Sequence, residues 1–264
     1  MPNMNDIDTR LVLRRPSESA RRNAAMPRQP AGSGTGRYRL VAKVKGKAER
    51  GEFPVMTIAL FGATGRTGRR VLDRLLDAGH EVRVLVRTPS KLKRSDARLA
   101  VIQGDVTDPG AVAETIAGTE AVVSVFGQVK GSSRTVQAEG TRTIVEAMKR
   151  LGVRRLVTLS GGGLRDPQDR PKAADKVIVV LLKLLSGHVL ADAQGHLEVL
   201  KASDLEWTVV RGPRLTEKPG TGNYRVGWVG VDAGTQVSRD DLATFIVTQI
   251  DDRSFVHAMP FVSQ

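Results

Sequence analysis

The stretch MTIALFGATGRTG, residues 56–68, decides how the chain is read. A short apolar run, Thr57–Gly62, ends in glycines spaced G-x-x-G-x-x-G at Gly62, Gly65 and Gly68. The run predicts a buried strand, and the glycines predict a tight turn into a helix. Gly62 suits the turn. Gly65 suits a close approach of backbone to a pyrophosphate, and Gly68 suits close packing of helix on strand. The helix N-terminus would face the phosphates with unpaired N–H groups and partial positive charge, with Thr64, Arg66 and Thr67 as added donors.

Working outward, strands and helices alternate. RTGRRVLDRLLDAGH places Val71, Leu72, Leu75 and Leu76 on one helical face and stops at Gly79. Strands are predicted at 81–87, 99–106, 121–127, 154–163 and 205–213. Helices are predicted from Asp108-Pro109, over 139–152 and over 238–250. This order predicts an α/β Rossmann-type fold, a doubly wound and mostly parallel sheet with helices on both faces. Its ligand crevice should lie at the carboxyl ends of the strands.

The second strand should distinguish the cofactor. An acidic residue at its end would bond a ribose 2′-OH. Here the end is Arg87, 19 residues past Gly68, followed by Ser90 and Lys91. These three form a cationic pocket suited to a 2′-phosphate, so NADP(H) is expected over NAD(H). Asp105 and Val106, ending the third strand, are placed to meet the adenine. Phe126 and Gly127, with Gln128, end the fourth, where backbone would approach the cofactor.

The totals narrow the classes. The chain has 264 residues, a formal charge of +13 and no cysteine. Disulfides, thiolate zinc sites and a cysteine nucleophile are thereby excluded. Residues 1–55 hold 12 Lys/Arg against 5 Asp/Glu, a charge of +7 of the total. Residues 1–54 lack periodicity and mix Arg with Pro, Ser and Gly, which predicts a disordered basic tail outside the folded unit. Residues 55–264 form the NAD(P)-binding domain with C-terminal substrate-pocket elements. The tail lacks interleaved aromatics, which disfavours nucleic acid as its partner. No stretch reaches the roughly 18 apolar residues of a membrane span; VIVVLLKLL (177–185) is shorter and contains Lys183. The apolar segment 176–190 reads as core or a dimer face, so a monomer or homodimer is expected, in the cytoplasm.

The blocks IALFGATGRTG, HEVRVLVRTPSKL, GDVTD, EGTRTIVEAMKRLGV and GPRLTEKPGTGNYRV carry a resemblance. Residues 56–262 resemble the atypical short-chain dehydrogenase/reductase superfamily in its NAD(P)H-binding branch, and look most like flavin reductase/biliverdin reductase B. The resemblance implies an NADPH-binding Rossmann fold with an open pocket, in which hydride passes to a flavin, a tetrapyrrole or a quinone. It carries Gly62, Thr64, Gly65, Arg66, Thr67, Gly68, Arg87 and Asp105 over as cofactor positions. Ser160 falls on or next to the family's active-site serine. Arg214 stands where that reductase has a histidine, a departure that weakens the case for biliverdin.

The Tyr-x-x-x-Lys motif of ordinary alcohol dehydrogenases is absent: Tyr38 is followed four residues on by Ala42, and Tyr224 by Trp228. Hydride transfer to a flavin needs no protein acid, because the cofactor carries the chemistry. Ser160 would then bond substrate or nicotinamide, and Arg214 would attract an anionic acceptor. A surface ion pair of Arg214 with Glu217 is the plainer alternative. His196 and Glu198, on ADAQGHLEVLKAS, read as a solvated helix face. No metal site is expected. The activity expected is NADPH-dependent oxidoreduction of a small-molecule acceptor, a flavin or quinone. The alternative is a non-catalytic NADP(H)-binding redox sensor.

Overall fold

In the computed structural model, residues 54–231 and 233–264 are described, with 173–185 described by backbone alone. The predicted basic tail, 1–54, lies outside the described residues but for its last position.

The strand–helix alternation forms as the hydrophobic pattern dictates. Strand β1 (Thr57–Phe61) leads into α1 (Arg66–Asp77), followed by β2 (Glu81–Val86), β3 (Leu99–Gln103), α2 (Pro109–Ile116) and β4 (Ala121–Ser124). Then come α3 (Val136–Leu151), β5 (Arg155–Gly161), α4 (Ala173–Lys201) and β6 (Glu206–Gly212). Four short strands, β7 (Arg214–Thr216), β8 (Arg225–Gly227), β9 (Gln236–Ser238) and β10 (Phe261–Ser263), surround α5 (Arg239–Thr248). Among the described residues, the main sheet has eight strands in the order β3-β2-β1-β4-β5-β6-β10-β8, all parallel except the β10–β8 pair. β7 and β9 pair separately.

Strand alternation sends successive side chains to opposite layers. On β1, Ile58 and Leu60 join the cluster built with Val71, Leu72, Leu75 and Leu76 of α1 and Leu242 and Ile246 of α5. Ala59 and Phe61 join the opposite cluster with Ile116 of α2, Ile144 and Met148 of α3 and Leu197 of α4. Both faces of the sheet are therefore covered, as a parallel sheet requires.

Local signals placed several element ends. Asp108 caps α2, its carboxylate accepting the N–H groups of Gly110 at 2.8 Å and Ala111 at 3.3 Å, with Pro109 in the first turn. Ser238 caps α5 by accepting the Asp241 N–H. The expected strands at 99–106 and 121–127 stop at Gln103 and Ser124, because the chain beyond turns over the end of the sheet. The helix expected at 139–152 starts three residues earlier, at Val136. Helix α4 is interrupted at Ser186, whose φ and ψ of −147° and 37° are not helical. The side chains of the apolar segment 176–190 lie outside the described residues as far as 185.

Strand order reverses between β1 and β4. Connections leave β1 toward β2 on one side and β4 toward β5 on the other, which opens a crevice at the carboxyl ends of these two strands.

Candidate functional site

The crevice is a groove of about 240 Å³. Its floor is the turn after β1, with Gly62, Thr64 and Gly65. Gly62 has a φ of 91°, and a Cβ there would lie 2.8 Å from the Phe126 backbone nitrogen. The turns after β1 and β4 thus touch through a position that only glycine fills. Arg87, Asp105 and Val106 form one end, beyond β2 and β3. Phe126, Gly127 and Gln128 form the other, beyond β4.

Helix α1 opens on the groove without a side-chain cap and with no acidic residue in its first turn. Its first amides are free for an anion. Gly68 stands against β1: a Cβ there would lie 2.0 Å from the Gly62 carbonyl oxygen. This is the close helix–strand packing expected from the motif.

The expected cofactor residues separate into two groups. Gly62, Thr64, Gly65, Arg87, Asp105, Val106, Phe126 and Gly127 all line the groove. Arg66, Thr67, Gly68, Ser90 and Lys91 do not. The Arg66 side chain is 67% exposed and pairs with Glu217 at 3.4 Å. The Thr67 hydroxyl is buried and accepts from Arg239 Nη1 at 2.9 Å. Ser90 and Lys91 sit on an exposed turn, Pro89–Lys91, next to Arg87. Asp105 is held charged: hydrogen bonds from the Thr107 N–H and hydroxyl, with the nearby Arg87 charge, outweigh its burial and lower its pKa. Val106 packs on Gly140 of α3, where a Cβ would come within 2.7 Å of Val106 and 2.8 Å of Phe126.

Ser160 lies near the carboxyl end of β5, in register with Arg211 of β6. It is 6% exposed, and its hydroxyl has no hydrogen-bond partner among the described residues. Arg214 begins β7 and is exposed; it donates to Gln236 Oε1 at 3.1 Å. Glu217, its expected ion-pair neighbour, is instead surrounded by Arg66, Arg70 and Arg239. Neither Ser160 nor Arg214 lines the groove.

The profile of a family described as NAD(P)H-binding matches residues 62–253. The chain belongs to that NAD(P)H-binding family. An uncharacterized chloroplastic protein of Arabidopsis thaliana is 29% identical over 205 residues, covering 70% of this chain and 69% of its own. Two solved structures share the fold. One is a short-chain dehydrogenase/reductase of Veillonella parvula in complex with NADP, at 20% identity and TM-score 0.67, covering 80% of this chain and 95% of that one. The other is an anaerobillin reductase from Escherichia coli O157:H7, at 18% identity and TM-score 0.65, covering 78% and 96%.

In this NAD(P)H-binding chain, two residues of α4 take places that helical spacing did not reveal. His196 was expected on a solvated face with Glu198. Glu198 is exposed, but His196 is 1% exposed and bridges two hydroxyls, Thr141 of α3 at 2.7 Å and Thr158 of β5 at 3.0 Å. Burial lowers its pKa to about 4, so the ring is neutral at pH 7 and acts as a structural bridge. Asp192, one turn earlier, is also buried, and its carboxylate meets the start of α3. The signal in both cases was a polar residue at i and i+4 beside Ala193 and Leu197, on a helix whose apolar stripe runs through the same face.

Proposed function

We propose that the chain is an NADPH-dependent oxidoreductase that passes hydride to a flavin, a quinone or a similar acceptor. The observation that carries this reading is the buried, unpartnered hydroxyl of Ser160 near the carboxyl end of β5, the strand beside β4. A buried polar group without a partner costs about 1–3 kcal/mol, and on this reading the bond that Ser160 lacks, beside the groove but not lining it, is supplied when acceptor and nicotinamide bind. When bound, the nicotinamide would supply the hydride. The chain's part is to seat the dinucleotide along the groove and to hold the acceptor ring against it. The transfer would leave NADP⁺, and the reduced acceptor would take its proton from water. The relatives support this reading in kind: one similar fold holds NADP, and another belongs to an anaerobillin reductase.

Arg87 supports NADPH over NADH. It directly follows β2 at the groove, at the position where an acidic residue would bond a 2′-OH. Arg87→Ala should weaken NADPH by about tenfold or more, the loss of one charge-assisted hydrogen-bonded contact, and leave NADH within about twofold. Parallel titrations of nicotinamide fluorescence measure both. Equal losses for the two cofactors would remove the role.

The activity itself is tested by NADPH oxidation, followed at the nicotinamide absorbance, with FMN, riboflavin, a quinone and biliverdin offered in turn. Turnover with one or more acceptors, reduced about tenfold or more in Ser160→Ala at unchanged NADPH affinity, is expected. Tight NADPH binding without turnover on any acceptor would replace the enzyme by a redox sensor.

A further inference from the structure

The β4–α3 connection, 125–135, walls one end of the groove and has no regular structure of its own. Its hydrogen bonds converge on a residue from elsewhere. Asp192 of α4 is 4% exposed. Its Oδ1 accepts the Ala138 N–H at 2.8 Å, and its Oδ2 accepts the Gln137 N–H at 3.0 Å. Thr135, at the N-cap position of α3, makes no side-chain cap, so Asp192 closes that helix from another element. Its Oδ2 also accepts from Gln128 Nε2 at 2.8 Å.

Gln128 lines the groove. Its amide nitrogen also donates to the carbonyls of Arg134 at 2.6 Å and His188 at 3.4 Å. All three partners are acceptors, which fixes the orientation of the amide. The carboxylate thus ties together the groove wall, the start of α3 and α4. Asp192 also lies level with Ser160. Thr158 and His196 are bonded across the β5–α4 interface. Two residues further along β5 advance about 6.6 Å, and four residues back along the antiparallel α4 about 6 Å.

From this geometry we infer that Asp192 is a positioning residue for the nicotinamide end of the groove, acting through Gln128 and the first amides of α3. The inference rests on the functional reading above: with the 2′-phosphate at Arg87 and the adenine at Asp105, the nicotinamide belongs at the β4–β5 side. The carboxylate is specific in this role. An amide of the same shape offers one acceptor and turns an NH₂ toward N–H donors.

The test compares the full chain with Asp192→Asn and Gln128→Leu. NADPH is titrated by nicotinamide fluorescence, and 2′,5′-ADP, the adenine half alone, by calorimetry. Both variants should weaken NADPH, Asp192→Asn by about tenfold and Gln128→Leu by less, with 2′,5′-ADP changed by less than about twofold. A merely structural role would move the two ligands together. Equal weakening of both ligands, or unchanged NADPH affinity in both variants, overturns the inference. If Asp192→Asn does not fold, Gln128→Leu decides alone, because it leaves the cap of α3 in place. A wild-type chain that binds neither ligand overturns the functional reading itself, an outcome distinct from an unchanged ratio.

Discussion

Arg211→Met is expected to lower the unfolding free energy by about 3–5 kcal/mol, the cost of leaving a buried charge without its partner. The Arg211 side chain is fully buried, and the Asp169 side chain nearly so. The guanidinium donates to both carboxylate oxygens of Asp169, at 2.7 and 2.9 Å, and to the carbonyls of Leu164 at 2.7 Å and Met259 at 2.8 Å. Asp169 in turn accepts the N–H groups of Asp166 and Val229. One ion pair therefore joins β6, the segment after β5, and the segment leading into β10. Thermal unfolding should show a fall of about 10 °C or more. Arg211→Met with Asp169→Leu should recover much of the loss, since an apolar pair leaves no unpaired charge.

The pH dependence has a definite sign. Burial would raise the Asp169 pKa, but the hydrogen bonds from Arg211 and two backbone amides hold it below the ordinary carboxylate value. A carboxylate with a depressed folded pKa contributes stability above its unfolded pKa of about 3.9, lost as pH falls through the folded value. Without Arg211, the two backbone amides remain but the guanidinium no longer offsets burial, so the folded pKa rises and protonation relieves the unpaired charge. The deficit of Arg211→Met should therefore be largest near neutral pH and shrink toward about pH 4. A deficit under about 1 kcal/mol at pH 7 would contradict the arrangement.

Gly68→Ala should disable the cofactor groove and destabilise the fold together. The new methyl would lie 2.0 Å from the Gly62 carbonyl oxygen and 2.7 Å from its carbon, both backbone atoms of the turn that floors the groove. No side-chain rotation relieves such a contact, so α1 must move off β1. Overpacking of this kind costs about 1–3 kcal/mol or more, and a shift of the α1 amides should weaken NADPH by more than about tenfold. Gly127→Ala is the control for stability, because its Cβ would meet nothing within 4 Å. Thermal unfolding and NADPH titration of both variants check the pair. A Gly68→Ala protein with wild-type affinity would show that α1 does not need its close seat.

The same contact shows what a local reading can carry. The spacing of Gly62, Gly65 and Gly68 after an apolar run points to one strand–turn–helix geometry, because the constraints act within seven residues. Asp108 with Pro109 marks a helix start for the same reason, and Arg87, Asp105 and Phe126 were legible as strand ends that share one edge of a parallel sheet. The three-residue strands β7 to β10 were not legible, since no period can be read from three residues and their pairing partners come from elsewhere.

His196 and Asp192 mark the boundary more sharply. On α4 they read as polar residues four apart. Their burial comes from partners 38 to 64 residues away: Thr158 and Thr141 for the one, Gln128, Gln137 and Ala138 for the other. Arg211 likewise reads as a strand-end cation until Asp169 meets it from 42 residues earlier. The sequence by itself determined the alternation of strands and helices, the glycine turn and the switch point where a dinucleotide belongs. These follow from side-chain periodicity and backbone sterics within a few residues. Only the tertiary structure decided which polar side chains are buried and paired and which, like the Ser160 hydroxyl, are buried without a partner, because burial depends on what the rest of the chain brings to each position.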